Sequence, residues 1–247
     1  MAGLFGIGGG MIMVPILVYL LPARGVTPQV VMQVAVATSM AVIAMSSLSS
    51  TLTHHRKGGV RWDLFKPFAP GLMLGALLGA YTAHLLPGET LKNIVGIGAL
   101  LTALQLFFGR EPPPASTLKP GAAELFGAGG VIGWLSSLIG IGGGSLTAPY
   151  LSLRGTPMHE AVGTAAAGGI PIAWAGTLGF VVAGWGSAAV PAPALGYVSL
   201  YGFAGLAIAS VIAAPFGARL AHGLPQRSLR RAFAVMLSLV AVVMLVR

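Results

Sequence analysis

Long apolar stretches without charged residues alternate with short polar segments along this chain. Asp, Glu, Lys and Arg are absent from Gly25–His55, Pro67–Gly88, Asn93–Gly109, Leu125–Leu153, Ala161–Ala218 and Ala232–Val246. A membrane-spanning helix needs roughly 20 apolar residues. Most of these windows hold one span, and Ala161–Ala218 is long enough for two, with a natural break at Trp185–Pro193. The pattern predicts an all-α polytopic membrane protein.

The chain also repeats itself. Residues 3–17 read GLFGIGGGMIMVPIL and residues 137–151 read SLIGIGGGSLTAPYL, at an offset of 134 residues. Further matches pair Thr27-Pro28 with Thr156-Pro157, Ala35–Thr38 with Ala161–Thr164, and Leu86-Pro87 with Leu224-Pro225. We therefore predict a first transmembrane repeat over residues 1–109, a connector over 110–121 and a second transmembrane repeat over 122–247.

Each repeat is predicted to contain four hydrophobic elements. They are Gly3–Leu21, Gln29–Thr53, Phe65–Leu86 and Leu91–Phe108, followed by Ala122–Leu153, Glu160–Ala183, Leu195–Leu220 and Ser228–Val246. The first element is shorter than its counterpart in the second repeat, which leaves open a native start upstream of Met1.

The charges of the loops indicate how the two repeats are oriented. The loop between the second and third elements is basic in the first repeat (His54, His55, Arg56, Lys57, Arg61) and uncharged in the second (Gly184–Pro193). The next loop shows the reverse bias, with Arg219, Arg227, Arg230 and Arg231 in the second repeat. Because basic loops stay in the cytoplasm, equivalent loops should lie on opposite sides, which is typical of inverted repeats.

Inversion requires an odd number of crossings in each repeat. The glycine-rich elements, the first and the fifth, could satisfy this by entering the membrane, breaking at GIGGG and returning to the same side. The alternative is eight plain crossings in two parallel repeats.

The glycine runs predict the binding site. Three consecutive glycines and a proline five residues later disfavour a continuous helix, and broken backbone at membrane depth needs protein or water to satisfy it. A half-helix that starts after each run would direct free N–H groups at the break, where an anion can bind. Close packing of helices through small residues is the alternative.

Uncharged polar side chains would complete this site, because charged residues occur only at the ends of the elements. The candidate substrate-binding residues are Gly8, Gly9, Gly10, Gln33, Thr38, Ser39, Gly142, Gly143, Gly144, Ser145, Thr147 and Thr164. Each hydroxyl could instead bond to its own helix backbone. His84 could carry protons, although a capping or interfacial role fits its place near the end of a span.

Composition limits the other classes of function. Only 8% of the residues are charged and 55% are apolar, and the net charge of +9 comes from short clusters between spans, which fits loops facing anionic lipid better than nucleic acid. The chain has no cysteine. We expect no catalytic residues, no metal and no cofactor, since the residues show neither a phosphate-loop nor a dinucleotide fingerprint and no nucleophile–base constellation.

The motifs resemble the sulfite exporter TauE/SafE family over nearly the whole chain. The resemblance rests on the doubled GIGGG-x4-P, Ala35–Ser39, the serine-rich run into His54 and His55 with Gly59-Val60, Ala161–Thr164, and Gly217–Ala221. It implies a multi-pass protein of the bacterial inner membrane that exports or takes up sulfite, organosulfonates or related anions without ATP hydrolysis.

We therefore predict a secondary transporter of small sulfur-containing oxyanions, whose partners are the anion and the lipid bilayer. A passive anion channel, a transporter of another small organic anion and a non-transporting membrane subunit are the alternatives. The sequence leaves a homo-oligomer open.

Overall fold

The computed structural model describes residues 9–108, 120–210 and 226–246. The helices are α1 (Gly10–Leu20), α2 (Val31–Arg56), α3 (Trp62–Leu85), α4 (Gly88–Phe108), α5 (Ala122–Ile139), α6 (Gly144–Leu153), α7 (Met158–Ala183), α8 (Leu200–Ser210) and α9 (Gln226–Val246). A 3₁₀ turn (Pro22–Arg24) follows α1, and the strands β1 (Ala194–Leu195) and β2 (Val198–Ser199) form a small antiparallel hairpin. Among these residues, α2, α3, α4, α5 and α7 are long and apolar enough to cross a membrane.

The predicted elements are helical wherever the structure describes them, with one difference. The element predicted at Ala122–Leu153 breaks into two helices at its glycine run, as predicted, because the backbone turns at Gly140 and Gly143, where φ is 78° and 74°. The element predicted at Leu195–Leu220 starts later, because the hairpin turn at Gly196, with φ of 55°, delays the helix to Leu200. Residues 3–8 and 211–220 lie outside the described residues.

Helices α3 and α5 pack backbone to backbone and run in the same direction. A Cβ at Gly71 would overlap the Phe126 carbonyl oxygen, and a Cβ at Gly75 would overlap that of Gly130. The residue numbers rise together along both helices, so the pair is parallel. Small residues at four-residue spacing permit this close approach.

Helices α2 and α7, which occupy equivalent places in the two repeats, pack antiparallel. The contacting pairs are Met40 with Gly176, Ser47 with Gly169, and Thr51 with Ala166, so numbers fall in α7 as they rise in α2. The equivalent residues Thr38 and Thr164 are 126 positions apart. When each partner of the Met40–Gly176 contact is replaced by its equivalent in the other repeat, the contact joins residues 166 and 50. The neighbouring Thr51 does donate a hydrogen bond of 3.1 Å to the Ala166 carbonyl, so the interface is nearly reciprocal.

The two short helices α1 and α6 run to opposite ends of the bundle. We call the end that carries Lys57, Arg61, Glu124, Arg154 and Glu160 the basic end. The C-terminus of α6 reaches it, because Arg154 forms an ion pair with Glu124 at the start of α5, and Tyr150 donates a hydrogen bond of 3.0 Å to the same carboxylate. Helices α5 and α6 therefore enter and return at the same end.

Helix α1 leads to the other end, where α7 finishes. The segment after α1 packs there, with the Thr27 N–H and the Ala189 carbonyl 3.4 Å apart. Gly25 faces Pro191 from the same segment.

Candidate functional site

The two glycine runs form the same local structure. Gly9 has φ 70° and ψ −9° before α1, and Gly143 has φ 74° and ψ −12° before α6. Both conformations are left-handed, which glycine adopts without steric cost. The sequence therefore dictates where each short helix begins, and at both places it begins with the last glycine of the run.

At both helix starts, the first backbone N–H groups have no acceptor within the described part of the chain. The Gly9 carbonyl accepts from the N–H groups of Ile12 and Met13, both at 3.1 Å, and the Gly143 carbonyl accepts from Leu146 and Thr147 at 3.1 and 2.8 Å. The amides of the first two residues of each helix precede these bonds and have no intrahelical acceptor. Each helix start therefore presents partial positive charge.

The two breaks meet inside the bundle. Gly10 is buried so closely against the second run that a Cβ there would overlap the Gly140 carbonyl oxygen. The same carbonyl accepts a hydrogen bond of 3.1 Å from the Ser39 hydroxyl on α2. Val14 of α1 also packs on Gly140. Of the predicted site residues, Gly10 and Ser39 thus contact the turn at Gly140, which leads through Gly142 and Gly143 to the start of α6 at Gly144. Gly9 directly precedes Gly10, while Gly8 lies outside the described residues.

Buried hydroxyl groups flank the second break. Ser136, Ser137 and Thr147 are fully buried and Ser145 is 7% exposed. Their hydroxyl oxygens have no hydrogen-bond partner within the described part of the chain. A buried hydroxyl without a partner is costly, so a hydroxyl among these that reaches the start of α6 has unused capacity to bind a ligand.

Thr38 and Thr164 are equivalent residues that make reciprocal contacts across the repeats. The Thr38 hydroxyl accepts a bond of 3.1 Å from the Ser199 N–H, directly before α8, and the Thr164 hydroxyl accepts one of 2.9 Å from the Arg61 N–H, directly before α3. Each threonine therefore stabilises the start of the third element of the opposite repeat.

Gln33 lies away from the breaks, beside the end of α3. Its Nε2 donates to the Leu86 carbonyl at 2.9 Å and approaches the Ala83 carbonyl at 3.4 Å. Its Oε1 is buried and has no partner among the described residues. About one and a half helical turns separate Gln33 from Ser39.

Charge is concentrated at the ends of the bundle. At the basic end, Arg61 pairs with Asp63 at 2.7 Å and with Glu160 at 2.9 Å, and the hydrogen bonds that it donates to these carboxylates raise the Arg61 pKa above its usual value. The segment Leu125–Leu153, which contains the second break, carries no charged side chain. A charge bound at the break would be balanced by backbone dipoles and hydrogen bonds.

Comparison with known proteins gives the family. The family model for the sulfite exporter TauE/SafE matches residues 1–244. The chain belongs to the TauE/SafE family. A probable membrane transporter protein of Haemophilus influenzae is 33% identical over 249 residues, covering 100% of this chain and 94% of that protein. A probable membrane transporter protein of Methanocaldococcus jannaschii is 26% identical over 247 residues, covering 99% and 88%. No solved structure matches the chain.

Membership of the TauE/SafE family confirms several predictions. The protein is a multi-pass membrane transporter of the cell inner membrane, and it is not an enzyme. The resemblance that the doubled glycine motif indicated is therefore correct.

Sequence reasoning on this TauE/SafE protein missed Ser136 and Ser137. The signal was present, because these serines lie four and three residues before Gly140, and the offset of 134 places Ala2 and Gly3 at the equivalent positions. Comparing the repeats for their differences, as well as their identities, would have singled out this serine pair.

Proposed function

We propose that this TauE/SafE protein is a secondary transporter that moves small sulfur-containing oxyanions, such as sulfite or organosulfonates, through the site where its two glycine breaks meet. The observation that carries the proposal is the contact of Gly10 with the Gly140 carbonyl. It places the start of α1 against the turn that leads into α6, inside the bundle. The family is described as sulfite exporters, which supports the substrate class.

The uncharged site supports a substrate of low charge. Free amides and hydroxyls can stabilise one or two negative charges without a fixed cation. Among the predicted ligands, Ser39, Ser145 and Thr147 supply hydroxyl groups near the breaks. Thr38, Thr164 and Gln33 are proposed to act at the ends of the path, where they contact the opposite repeat or the end of α3.

The repeats are proposed to be inverted, with residues 1–109 and 122–247 as the two units and 110–121 as their connector. Three observations support this arrangement. Helices α2 and α7 pack antiparallel with nearly reciprocal contacts, the threonine bonds cross the repeats in both directions, and α1 and α6 run to opposite ends. Inverted repeats around a central site permit alternating access by rocking one unit against the other.

Counterflow in proteoliposomes tests this function. Vesicles that contain the purified protein and are preloaded with unlabelled sulfite should accumulate external radiolabelled sulfite transiently, because a carrier exchanges one anion for another. Equilibration without an overshoot, at a rate that does not saturate, would instead indicate the anion channel. Absence of protein-dependent flux of sulfite and organosulfonates would overturn the proposed substrate class.

A further inference from the structure

We propose that the substrate anion binds to the second break alone, where Ser136 and Ser145 donate hydrogen bonds to it beside the free amides of α6. This inference rests on the proposed function and deepens it. It assigns an anion-binding residue, Ser136, outside the glycine runs, and it places the binding site at one of the two similar breaks.

The position of Ser136 carries the argument. Its hydroxyl oxygen lies 3.4 Å from the Cβ position of Gly143, the residue from which α6 starts. The side chain is fully buried and its hydroxyl has no partner within the described residues. A buried donor beside a helix start that also has free amides is suited to an anion.

Ser145 adds a second hydroxyl at the same helix start. It is the second residue of α6, so its own amide belongs to the pair without an intrahelical acceptor. Its side chain is 7% exposed and its hydroxyl is also unpartnered among the described residues. Ser136 and Ser145 thus bracket Gly143 from α5 and from α6.

The first break offers no equivalent side chains. At the repeat offset of 134, Ser145 corresponds to Met11, Thr147 to Met13, and Ser136 to Ala2. Met11 is buried in an apolar cluster with Ile139 and Ile141. The first helix start therefore has free amides but no hydroxyl donors from these positions, and Gly10 packs directly against the second run.

This donor set selects the class of ligand. Two hydroxyls and two amides at the junction of α5 and α6 favour a ligand with several acceptor atoms on one compact anionic group. An SO₃ group, whether in sulfite or at the end of a sulfonate, has three such oxygens. Chloride is a single acceptor atom and cannot satisfy donors that arrive from separated positions to the same degree.

Ser137 is a matched control for Ser136. It is the next residue, it is equally buried, and its hydroxyl is also unpartnered. Its oxygen, however, lies 3.1 Å from the Cβ position of Gly176 on α7, away from the break. A substitution at Ser137 therefore reproduces the chemical change without touching the proposed ligand.

Isothermal titration of the purified full chain with sulfite, sulfoacetate and chloride tests the inference. Ser136→Ala and Ser145→Ala should each weaken sulfite binding roughly 10- to 150-fold, as expected when one hydrogen bond to a charged group is lost. Ser137→Ala should bind like the wild type. The melting temperatures of the ligand-free Ser136→Ala and Ser145→Ala proteins should not fall, since each change removes an unsatisfied buried hydroxyl.

The outcomes separate the two proposals. If the wild type binds none of the three anions, the proposed function fails. If the wild type binds sulfite and Ser136→Ala binds it with equal affinity, or with the same loss as Ser137→Ala, this inference alone is overturned. Chloride binding as tight as that of sulfite would overturn the assignment of an oxyanion.

Discussion

The two glycine breaks share a backbone and differ in their side chains. Gly9 and Gly143 have nearly the same φ and ψ, and each is followed by a short helix with proline at its sixth position. The first helix then presents Met11 and Met13, where the second presents Ser145 and Thr147. The comparison teaches that duplication preserved the shape of the break, while the chemistry that could recognise a ligand is present on one side.

The surroundings of the breaks differ in the same sense. Gly10 is covered by the Gly140 carbonyl, so the first break is used for packing between the repeats. Gly143 is covered by the tip of Ile172 and faces the Ser136 hydroxyl. A flexible side-chain tip can move aside for a ligand, whereas a backbone carbonyl held by Ser39 is more firmly fixed.

The largest expected effect is a difference in cysteine labelling between the two ends of the bundle, to which α1 and α6 run. Lys57 lies at the basic end, and Ser187 follows α7 at the opposite end. Single cysteines at these two positions should react with an impermeant maleimide from opposite sides of the membrane. The native chain has no cysteine, so the unsubstituted protein is a labelling blank. Reaction of both positions from one side would contradict the inverted repeats.

The second prediction compares alanine substitutions at the two breaks. Gly143→Ala forces a side chain into the left-handed region and against Ile172, and it should weaken sulfite binding by about 5- to 150-fold if one charge-assisted hydrogen bond is lost. Gly9→Ala imposes the same backbone strain, with φ 70°, and should retain affinity near that of the wild type.

Gly58→Ala controls for left-handed strain outside the breaks. Gly58 has φ 68° in the loop before α3, and no atom of the described residues lies within 4 Å of its Cβ position. Equal loss of affinity in Gly9→Ala and Gly143→Ala, with Gly58→Ala unchanged, would show that both breaks bind the anion. Wild-type affinity in both break variants would remove the glycine runs from the binding site.

The third prediction separates glycines that open a site from glycines that allow close packing. Gly75→Ala places a methyl group into the Gly130 carbonyl between α3 and α5, and overpacking of this kind costs about 1–3 kcal/mol. The Cβ position of Gly127 on α5 has no atom of the described residues within 4 Å. Gly127→Ala should therefore stabilise the helix by up to about 1 kcal/mol. Thermal unfolding in detergent measures both changes.

Affinity distinguishes this packing role from a ligand role. Gly75→Ala protein that remains folded should bind sulfite as the wild type does, because α3 touches neither helix start through Gly75. A lowered affinity at unchanged stability would place α3 in the site.

Much of this fold could be read from the sequence, because lipid imposes a simple pattern of apolar spans and charged ends. The helices α2, α3, α4 and α7 follow directly from that pattern, and the positive φ of Gly143 follows from the glycine run. The contact between Gly10 and Gly140, and the hydrogen bonds that the Thr38 and Thr164 hydroxyls accept, could not be predicted. They join residues more than 100 positions apart, and the pattern of a single span contains no information about its partner.

The candidate site was predicted less completely than the fold. Gln33 was chosen as a large uncharged polar group, but its amide is held at the end of α3 by the Leu86 carbonyl. Ser136 was missed because hydroxyls within an apolar span are usually satisfied by their own helix. Thr102 illustrates that rule, since its hydroxyl bonds to the Gly98 carbonyl at 2.9 Å. Ser136 departs from the rule, because its hydroxyl has no partner among the described residues.

The last prediction is that a substitution at His84 changes neither sulfite binding nor pH-driven flux. No Asp or Glu lies in the middle of a span, so the second break, like the first, has no carboxylate from which a proton relay could start. His84 is exposed at the end of α3, and its Nδ1 shares a hydrogen bond of 2.9 Å with the Tyr197 hydroxyl. Burial raises the pKa of Tyr197, which keeps that hydroxyl protonated at neutral pH. This pair joins α3 to the hairpin before α8, far along α3 from the Arg61 end.

We therefore expect that His84→Gln, which keeps a polar side chain of similar reach, leaves both sulfite affinity and pH-driven flux in proteoliposomes unchanged. Any proton coupling would then enter with the substrate, because sulfite itself exchanges a proton near neutral pH. Loss of pH-driven flux in His84→Gln with sulfite binding intact would instead make His84 a proton carrier of the protein, and the break with its serines would no longer account for coupling by itself.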